Sequence, residues 1–243
     1  MKLIRMLHTY WGMLVFAVLF LLCFPFLLIP ILFPAQHQLT GVINRVWAKL
    51  FFTLLFIPFK IETRGKLDGK KKYIFCANHF SYLDTPTLGL NPVNAIFVGK
   101  SDMEKVPLFG FMYGKLHITV DRKNFRSRGN AMLRSLQAID EGKSLMVFPE
   151  GGMVTENPPA MSRFKDGAFR TAIEKQIAVV PVTIPFNWKL LPDENPLRLH
   201  WRKVKVIFHE PIETAGLSLD DVDELKEKVF QVIDRELKNH NSV

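Results

Sequence analysis

Cysteine is scarce in this chain: Cys23 and Cys76 are the only two in 243 residues. Two are too few for a disulfide framework, and neither has the spacing of a metal ligand, so a reducing, cytosolic setting is expected. No metal and no cofactor is expected either. Acidic residues are also few: 23 Asp and Glu stand against 32 Lys and Arg, leaving a formal charge of +9. The chain lacks internal repeats, low-complexity runs and any nucleic-acid-binding motif, and it has no Gly-x-Ser-x-Gly elbow of a serine hydrolase. Basicity of this size favours nucleic acid, an anionic membrane surface or a phosphorylated substrate. With nucleic acid set aside, an apolar content of 48% turns the choice towards membrane.

That apolar content is concentrated at the amino terminus. Residues 10–33 form 24 positions without a charge. As a helix they would cover roughly 36 Å, against roughly 30 Å for a bilayer core. Pro25 and Pro30 predict kinks in the second half. A second run, residues 46–59, has 14 positions and carries Lys49. It is too short to span and suits an interfacial or re-entrant helix. Lys2 and Arg5 precede the first run, while Arg45, Lys49, Lys60, Arg64 and Lys66 lie in or after the second. Positive charge marks the cytoplasmic side, so both ends of the pair are expected there. Residues 1–60 thus read as membrane-anchoring helices, most simply a hairpin on the cytoplasmic face, and residues 61–243 as a separate domain. A single spanning anchor is the alternative. A signal peptide would need a shorter apolar core and a better cleavage site than Phe33-Pro34-Ala35-Gln36.

Beyond residue 60, short apolar runs alternate with helical patterns. Strands are predicted at 73–77, 95–98, 117–120, 144–148, 178–184 and 204–208. Helices are predicted at 125–141, ended by Gly142, at 166–175 and at 219–237, the last with Ser218 and Asp221 as its cap. Near-continuous apolar strands separated by helices indicate an α/β domain, with a largely parallel or mixed sheet covered by helices. Chemistry in such sheets gathers in the loops beyond the strands' carboxyl ends.

One such loop reads Asn78-His79-Phe80-Ser81-Tyr82-Leu83-Asp84. Histidine titrates near neutrality and suits a general base, more so when a carboxylate holds its other ring nitrogen. Five residues along a continuous helix would put His79 and Asp84 about 140° apart, too far for contact. With Pro86 at a first helical position and Thr85 as its cap, residues 79–84 are free to turn and bring the two together. By chemistry alone the simpler reading is that His79 ends a strand and Asp84 caps a helix. The other histidines, His8, His37, His117, His200, His209 and His240, lack companions and read as surface or structural.

This segment resembles the HX4D signature of the glycerolipid acyltransferases, and further blocks follow in that family's order. Gly99-Lys100 through Glu104, Pro107 and Gly110 to Asp121-Arg122 resembles the second block. Val147-Phe148-Pro149-Glu150-Gly151 resembles the third, and Val180-Pro181-Val182 the fourth. The resemblance covers about residues 60–210 together with the apolar amino terminus, and within the family it is nearest the 1-acyl-glycerol-3-phosphate acyltransferases. It implies that His79 is the general base and Asp84 its orienting partner. The acyl donor would be acyl-CoA or acyl-carrier protein, the acceptor a lyso-glycerolipid and the product phosphatidic acid, made against an anionic membrane lipid surface. Arg122 and Lys100 would hold the acceptor phosphate. The glycines of Glu150-Gly151-Gly152 would let backbone N–H groups approach a phosphate or an oxyanion, a tight turn being the alternative.

In one place the pattern fails. The family's third block continues Glu-Gly-Thr-Arg, whereas here Gly152-Met153-Val154 follows, so the arginine is missing. Either Arg163 or Lys165 supplies the charge, or the acceptor is another lyso-phospholipid or a lyso-aminolipid. A thioesterase or esterase using Ser81, and a non-catalytic lipid-binding protein, are the readings from other classes.

Overall fold

The computed structural model describes residues 2–241, leaving Met1 of the expected anchor and the last two residues of the chain outside the described residues. Helix α1 (Lys2–Leu32) runs unbroken through Pro25 and Pro30, for about 46 Å at 1.5 Å per residue. A short 3-10 turn at Pro34–Gln36 leads into α2 (Gln38–Leu54). The pair is an antiparallel hairpin. Near the start of α1, Trp11 Nε1 donates to Leu54 O (2.9 Å) at the end of α2, and the Phe16 and Trp47 rings meet edge-on at 5.0 Å.

The body follows as β1 (Phe59–Thr63), β2 (Ile74–Ala77), α3 (Asp84–Leu88), β3 (Ala95–Lys100), α4 (Phe109–Leu116) and β4 (Ile118–Val120). Then come α5 (Phe125–Asp140), β5 (Ser144–Val147), α6 (Gly167–Lys175), β6 (Val179–Thr183), α7 (Asn187–Leu190), β7 (Val204–Phe208) and α8 (Val222–Asn241). The seven strands lie in the order β1-β7-β6-β2-β5-β3-β4. Pairing is parallel throughout except between β6 and β7, so the sheet is mixed. Each strand that was expected is present. Edge strand β1 escaped notice because none of Phe-Lys-Ile-Glu-Thr is fully buried: three side chains are half-buried and two exposed. Helices α3, α4 and α7 are too short to show a helical period.

Apolar alternation along the strands fills both faces. Ile74, Leu145 and Val179 pack against Ala138 of α5, Phe169 of α6 and Val229 of α8. Phe75, Met146, Val180 and Phe208 line the other face. A third cluster crosses the boundary expected at residue 60: Val15 and Leu19 of α1 and Phe52 of α2 share it with Leu83, Leu190 and Val204 of the body. Arg45, read from sequence as a topology-setting charge, donates to Asn91 O (2.8 Å) and Pro92 O (3.0 Å) and so ties α2 to the loop before β3.

The capping box of Ser218 and Asp221 forms as expected, ahead of α8. Several histidines have companions that the sequence did not suggest: His8 bonds Leu55 O (3.0 Å), and buried His117 accepts from Phe97 N (3.2 Å). His240 Nε2 lies 3.0 Å from Glu236, whose carboxylate also takes both ends of the Arg64 guanidinium at 2.6 Å. Buried His209 bonds the Thr183 hydroxyl at 2.8 Å, and burial lowers its pKa to about 4. The Glu236 group ties α8 to the end of β1 through Arg64, and the His209 bond ties β6 to the end of β7; both are structural.

Candidate active site

Strand β2 is central, and the segment that leaves its carboxyl end is held on three sides. Asn78 extends the sheet with its side chain: Nδ2 donates to Ile184 O (3.0 Å), and Oδ1 accepts from Ile184 N (2.8 Å). The next residues turn as the five-residue spacing requires. Asp84 Oδ2 accepts from His79 Nδ1 (3.0 Å), Phe80 N (2.7 Å) and Ser81 N (2.8 Å). Its Oδ1 accepts from Asn187 Nδ2 (3.0 Å). Asp84 is wholly buried. A carboxylate is tolerated there because four N–H donors replace the water it has lost. Helix α3 starts at Asp84 itself, so Thr85 is not its cap and Pro86 is its third residue.

A carboxylate only accepts, so the hydrogen between His79 and Asp84 is assigned to Nδ1, leaving Nε2 with a lone pair. The ring is stacked on Phe148 at 3.9 Å, with 14° between planes. Its side chain is 15% exposed, enough to meet a substrate but screened on one face. Ser81 is buried, its hydroxyl donating to Leu191 O (2.8 Å) and accepting from Leu83 N (3.3 Å).

The third loop meets the first through Glu150. At 2% exposure it is closed to solvent rather than open to a substrate. Its Oε1 accepts from His79 N (2.9 Å) and its Oε2 from Ser162 N (2.8 Å). The carboxylate thereby links the segment carrying His79 to residues 161–165. Gly151 and Gly152 follow with φ of +86° and +150°, a turn that side-chain-bearing residues rarely adopt. Gly151 N donates to Phe148 O (3.0 Å). That N–H belongs to the turn and is not free for an oxyanion.

The cations expected at the site divide. Arg122 is half-buried, and its Nη1 donates to Gly151 O; a Cβ on Gly152 would lie 3.0 Å from the same nitrogen. Burial lowers its pKa from the ordinary guanidinium value, yet an arginine remains charged. Lys165 also lies against the turn, its Cγ 3.7 Å from where a Gly151 Cβ would be. At Asp223, the second residue of α8, Lys226 has the larger part in lowering the carboxyl's pKa, and Arg163 lies near enough for its charge to help. Lys100, at the end of β3 with 61% of its side chain exposed, is engaged by Asp102. Among the described residues, no group of three or more His, Cys, Asp or Glu is arranged to hold a metal.

Sequence reasoning missed three contributors. Asn78 had a local signal, a polar residue ending an apolar strand directly before His79. Phe148 lies within the third block but gave no sign of stacking. Asn187 is 103 residues from Asp84, and nothing local announces it.

Burial of Glu150 pushes its pKa up to about 7, against the pull of the Ser162 and His79 N–H groups. A carboxyl with a raised native pKa takes up its proton more readily folded than unfolded. Its contribution is therefore fully present below the ordinary pKa of about 4.3 and lost as pH rises through 7. Thermal unfolding in detergent between pH 5 and pH 8 should show a steeper fall for the native protein than for Glu150→Gln. Parallel profiles would assign the titration to another group.

Residues 58–185, more than half of the chain, match the family model described as Acyltransferase. The chloroplastic 1-acyl-sn-glycerol-3-phosphate acyltransferase LPAT1 of Arabidopsis thaliana is 28% identical over 77% of this chain and 53% of its own length. The lyso-ornithine lipid O-acyltransferase of Pseudomonas aeruginosa is 30% identical over 56% of this chain and 52% of its own. The chain thus spans about half the length of each of these relatives. The crystal structure of the 1-acyl-sn-glycerophosphate acyltransferase PlsC from Thermotoga maritima superposes with a TM-score of 0.80, at 22% identity, over 98% of this chain and 96% of that one, a likeness of fold. With the third-block glycines and the His79–Asp84 pair both inside the matched region, this chain belongs to the acyltransferase family.

Proposed function

We propose that the protein transfers a fatty acyl group from a thioester, acyl-CoA or acyl-carrier protein, to the sn-2 hydroxyl of a 1-acyl-glycerol-3-phosphate, giving phosphatidic acid. The observation that carries this reading is the His79 ring, with Nδ1 held by Asp84 and Nε2 without a protein partner among the described residues. Nε2 takes the acceptor's hydroxyl proton as that oxygen bonds to the thioester carbonyl carbon. When the tetrahedral intermediate collapses, the C–S bond breaks and the imidazolium returns the proton to the departing sulfur. Asp84 stabilises the imidazolium between these two steps. Because the donor is already activated, no acyl-enzyme is required.

Support for the phosphorylated acceptor comes from Arg122 and Lys165, both of which adjoin the Gly151-Gly152 turn. Lys165 stands for the arginine that the third block lacks. A lyso-aminolipid acceptor is the second reading, favoured by Met153 at the position after the glycines and by the relative named for lyso-ornithine lipid. Offering purified protein a panel of lyso-lipids with each donor, and identifying the product, separates the two. Exclusive acylation of a phosphate-free acceptor would overturn the first.

Residues 1–60 are read as the anchor, on the cytoplasmic face. Helix α1 is the one described helix long and apolar enough to cross a membrane, and only 22% of its most apolar window is buried. Ser81 is given no nucleophilic role, since its hydroxyl is spent on Leu191 O. Ser81→Ala should accordingly keep more than about a tenth of the activity, its loss being one buried hydrogen bond of roughly 1 kcal/mol. An inactive variant, with an acyl-serine adduct in the parent protein, would establish the esterase reading.

A further inference from the structure

Between β3 and α4 the chain presents six consecutive exposed residues, Met103-Glu104-Lys105-Val106-Pro107-Leu108. Soluble surfaces rarely group apolar side chains in this way without a use for them. Leu108 is 51% exposed at φ +59°. A leucine in the left-handed region is strained, and such strain persists where the surrounding structure imposes it, often at functional surfaces. One turn further on, Phe111 is 50% exposed.

Two observations say what covers this patch. First, it is fixed to α1. Phe109, between Leu108 and Phe111, packs its ring at 5.5 Å from Phe20 and 6.4 Å from Phe16. Met13, Leu14 and Leu21, close in sequence to Phe16 and Phe20 on α1, are exposed apolar side chains as well. Second, the surroundings are cationic. Strands β3 and β4 end side by side, Lys100 opposite Val120, so the loop after β4 adjoins this one. Lys105 accordingly feels the charge of Asp121. Just beyond that second loop, Phe125 opens α5 and is 82% exposed, with the Arg128 guanidinium 5.5 Å from its ring. From residue 100 to residue 128, the two loops and the helix ends beside them, seven Lys and Arg stand against Asp102, Glu104 and Asp121. Apolar tips rimmed by a surplus of cations fit a leaflet containing anionic lipid.

We infer that residues 103–111, together with Phe125, form a second membrane contact that enters the same leaflet as α1. This rests on the reading of residues 1–60 as an anchor. Its consequence is orientation: both loops leave the carboxyl end of the sheet, as the His79 segment does. Seating them in the headgroup region presents that end to a lipid whose chains stay in the bilayer.

The test uses the full chain carrying Cys23→Ser, with buried Cys76 retained, in vesicles of phosphatidylcholine and phosphatidylglycerol. An environment-sensitive fluorophore is attached in turn at Leu108→Cys, Phe111→Cys and Phe125→Cys, with Leu21→Cys on α1 and Leu133→Cys on α5 for comparison. Lipids brominated in their acyl chains should quench the labels at 108, 111 and 125 at least twofold more than the label at 133. Quenching at 21 with none at 108, 111 or 125 would overturn the inference while leaving the anchor intact. Absence of quenching at 21 as well would remove the anchor reading and this inference with it. A label at 108 that responds only when an acyl-carrier protein is added would assign the patch to a protein partner instead.

Discussion

Replacing His79 by alanine should lower acyl transfer by roughly 100- to 10,000-fold, the usual loss on removing a positioned base, and should leave the fold intact. The turn does not depend on the imidazole. Without it, Asp84 Oδ2 keeps Phe80 N and Ser81 N, and Oδ1 keeps Asn187. Asp84→Asn should be as inactive for a different reason. An amide has one acceptor oxygen where the carboxylate has two, so its NH2 group must face N–H donors on one side. Leaving such buried donors unsatisfied costs about 1–3 kcal/mol, and Asp84→Asn should melt below the native protein while His79→Ala should not. Asn187→Leu should be milder than either, because it leaves the His79 contact in place and frees Asp84 Oδ1 and the Thr87 hydroxyl, which Asn187 also holds at 2.8 Å. Turnover measured with a thiol-release assay, alongside thermal unfolding in detergent, checks all three. More than a tenth of native activity in His79→Ala would mean that the base lies elsewhere.

Arg122→Ala should cost the second largest factor, roughly 10- to 150-fold in catalytic efficiency, from the 1.5–3 kcal/mol of a hydrogen bond to an ionised group. The loss should be confined to phosphorylated acceptors. Arg122 spends one N–H on Gly151 O, and a guanidinium has four more to offer. A bidentate grip on phosphate is therefore compatible with its hold on the turn. Lys165→Ala should cost less, since an exposed ammonium is a hydrated point charge. Kinetics on a lyso-phosphatidate and on a phosphate-free lyso-lipid separate binding from architecture. Equal losses on both would show that Arg122 serves the turn alone, and the phosphate assignment would fail.

Local pattern carried much of this protein. Apolar runs between helical periods are enough for an α/β sheet, because a strand covered on both faces must be apolar along its whole length. The Ser218–Asp221 box was legible for the same reason: a cap is satisfied within four residues. His79 and Asp84 were paired by the resemblance to the HX4D pattern; the residues alone left the pair open, and the helix opens at Asp84 with Pro86 as its third residue. What pairs by alternation only weakly, such as β1, was not legible.

The sequence by itself determined which segments are apolar, where chemistry-bearing residues cluster and which family pattern they follow. Tertiary structure decided what those residues do to one another. Glu150 was placed among substrate contacts by its motif, and in the fold both its oxygens are taken by backbone N–H groups of His79 and Ser162. Lys165 and Arg163 were equivalent in sequence, yet the stem of one lies against the glycine turn while the charge of the other is felt by Asp223 of α8. Asn187 reaches Asp84 across 103 residues. A buried polar atom must find its partner wherever the packed chain brings one within about 3 Å. Local sequence sets which atoms need partners; only the closing of the sheet brings the β6 and α7 end of the chain against the β2 loop.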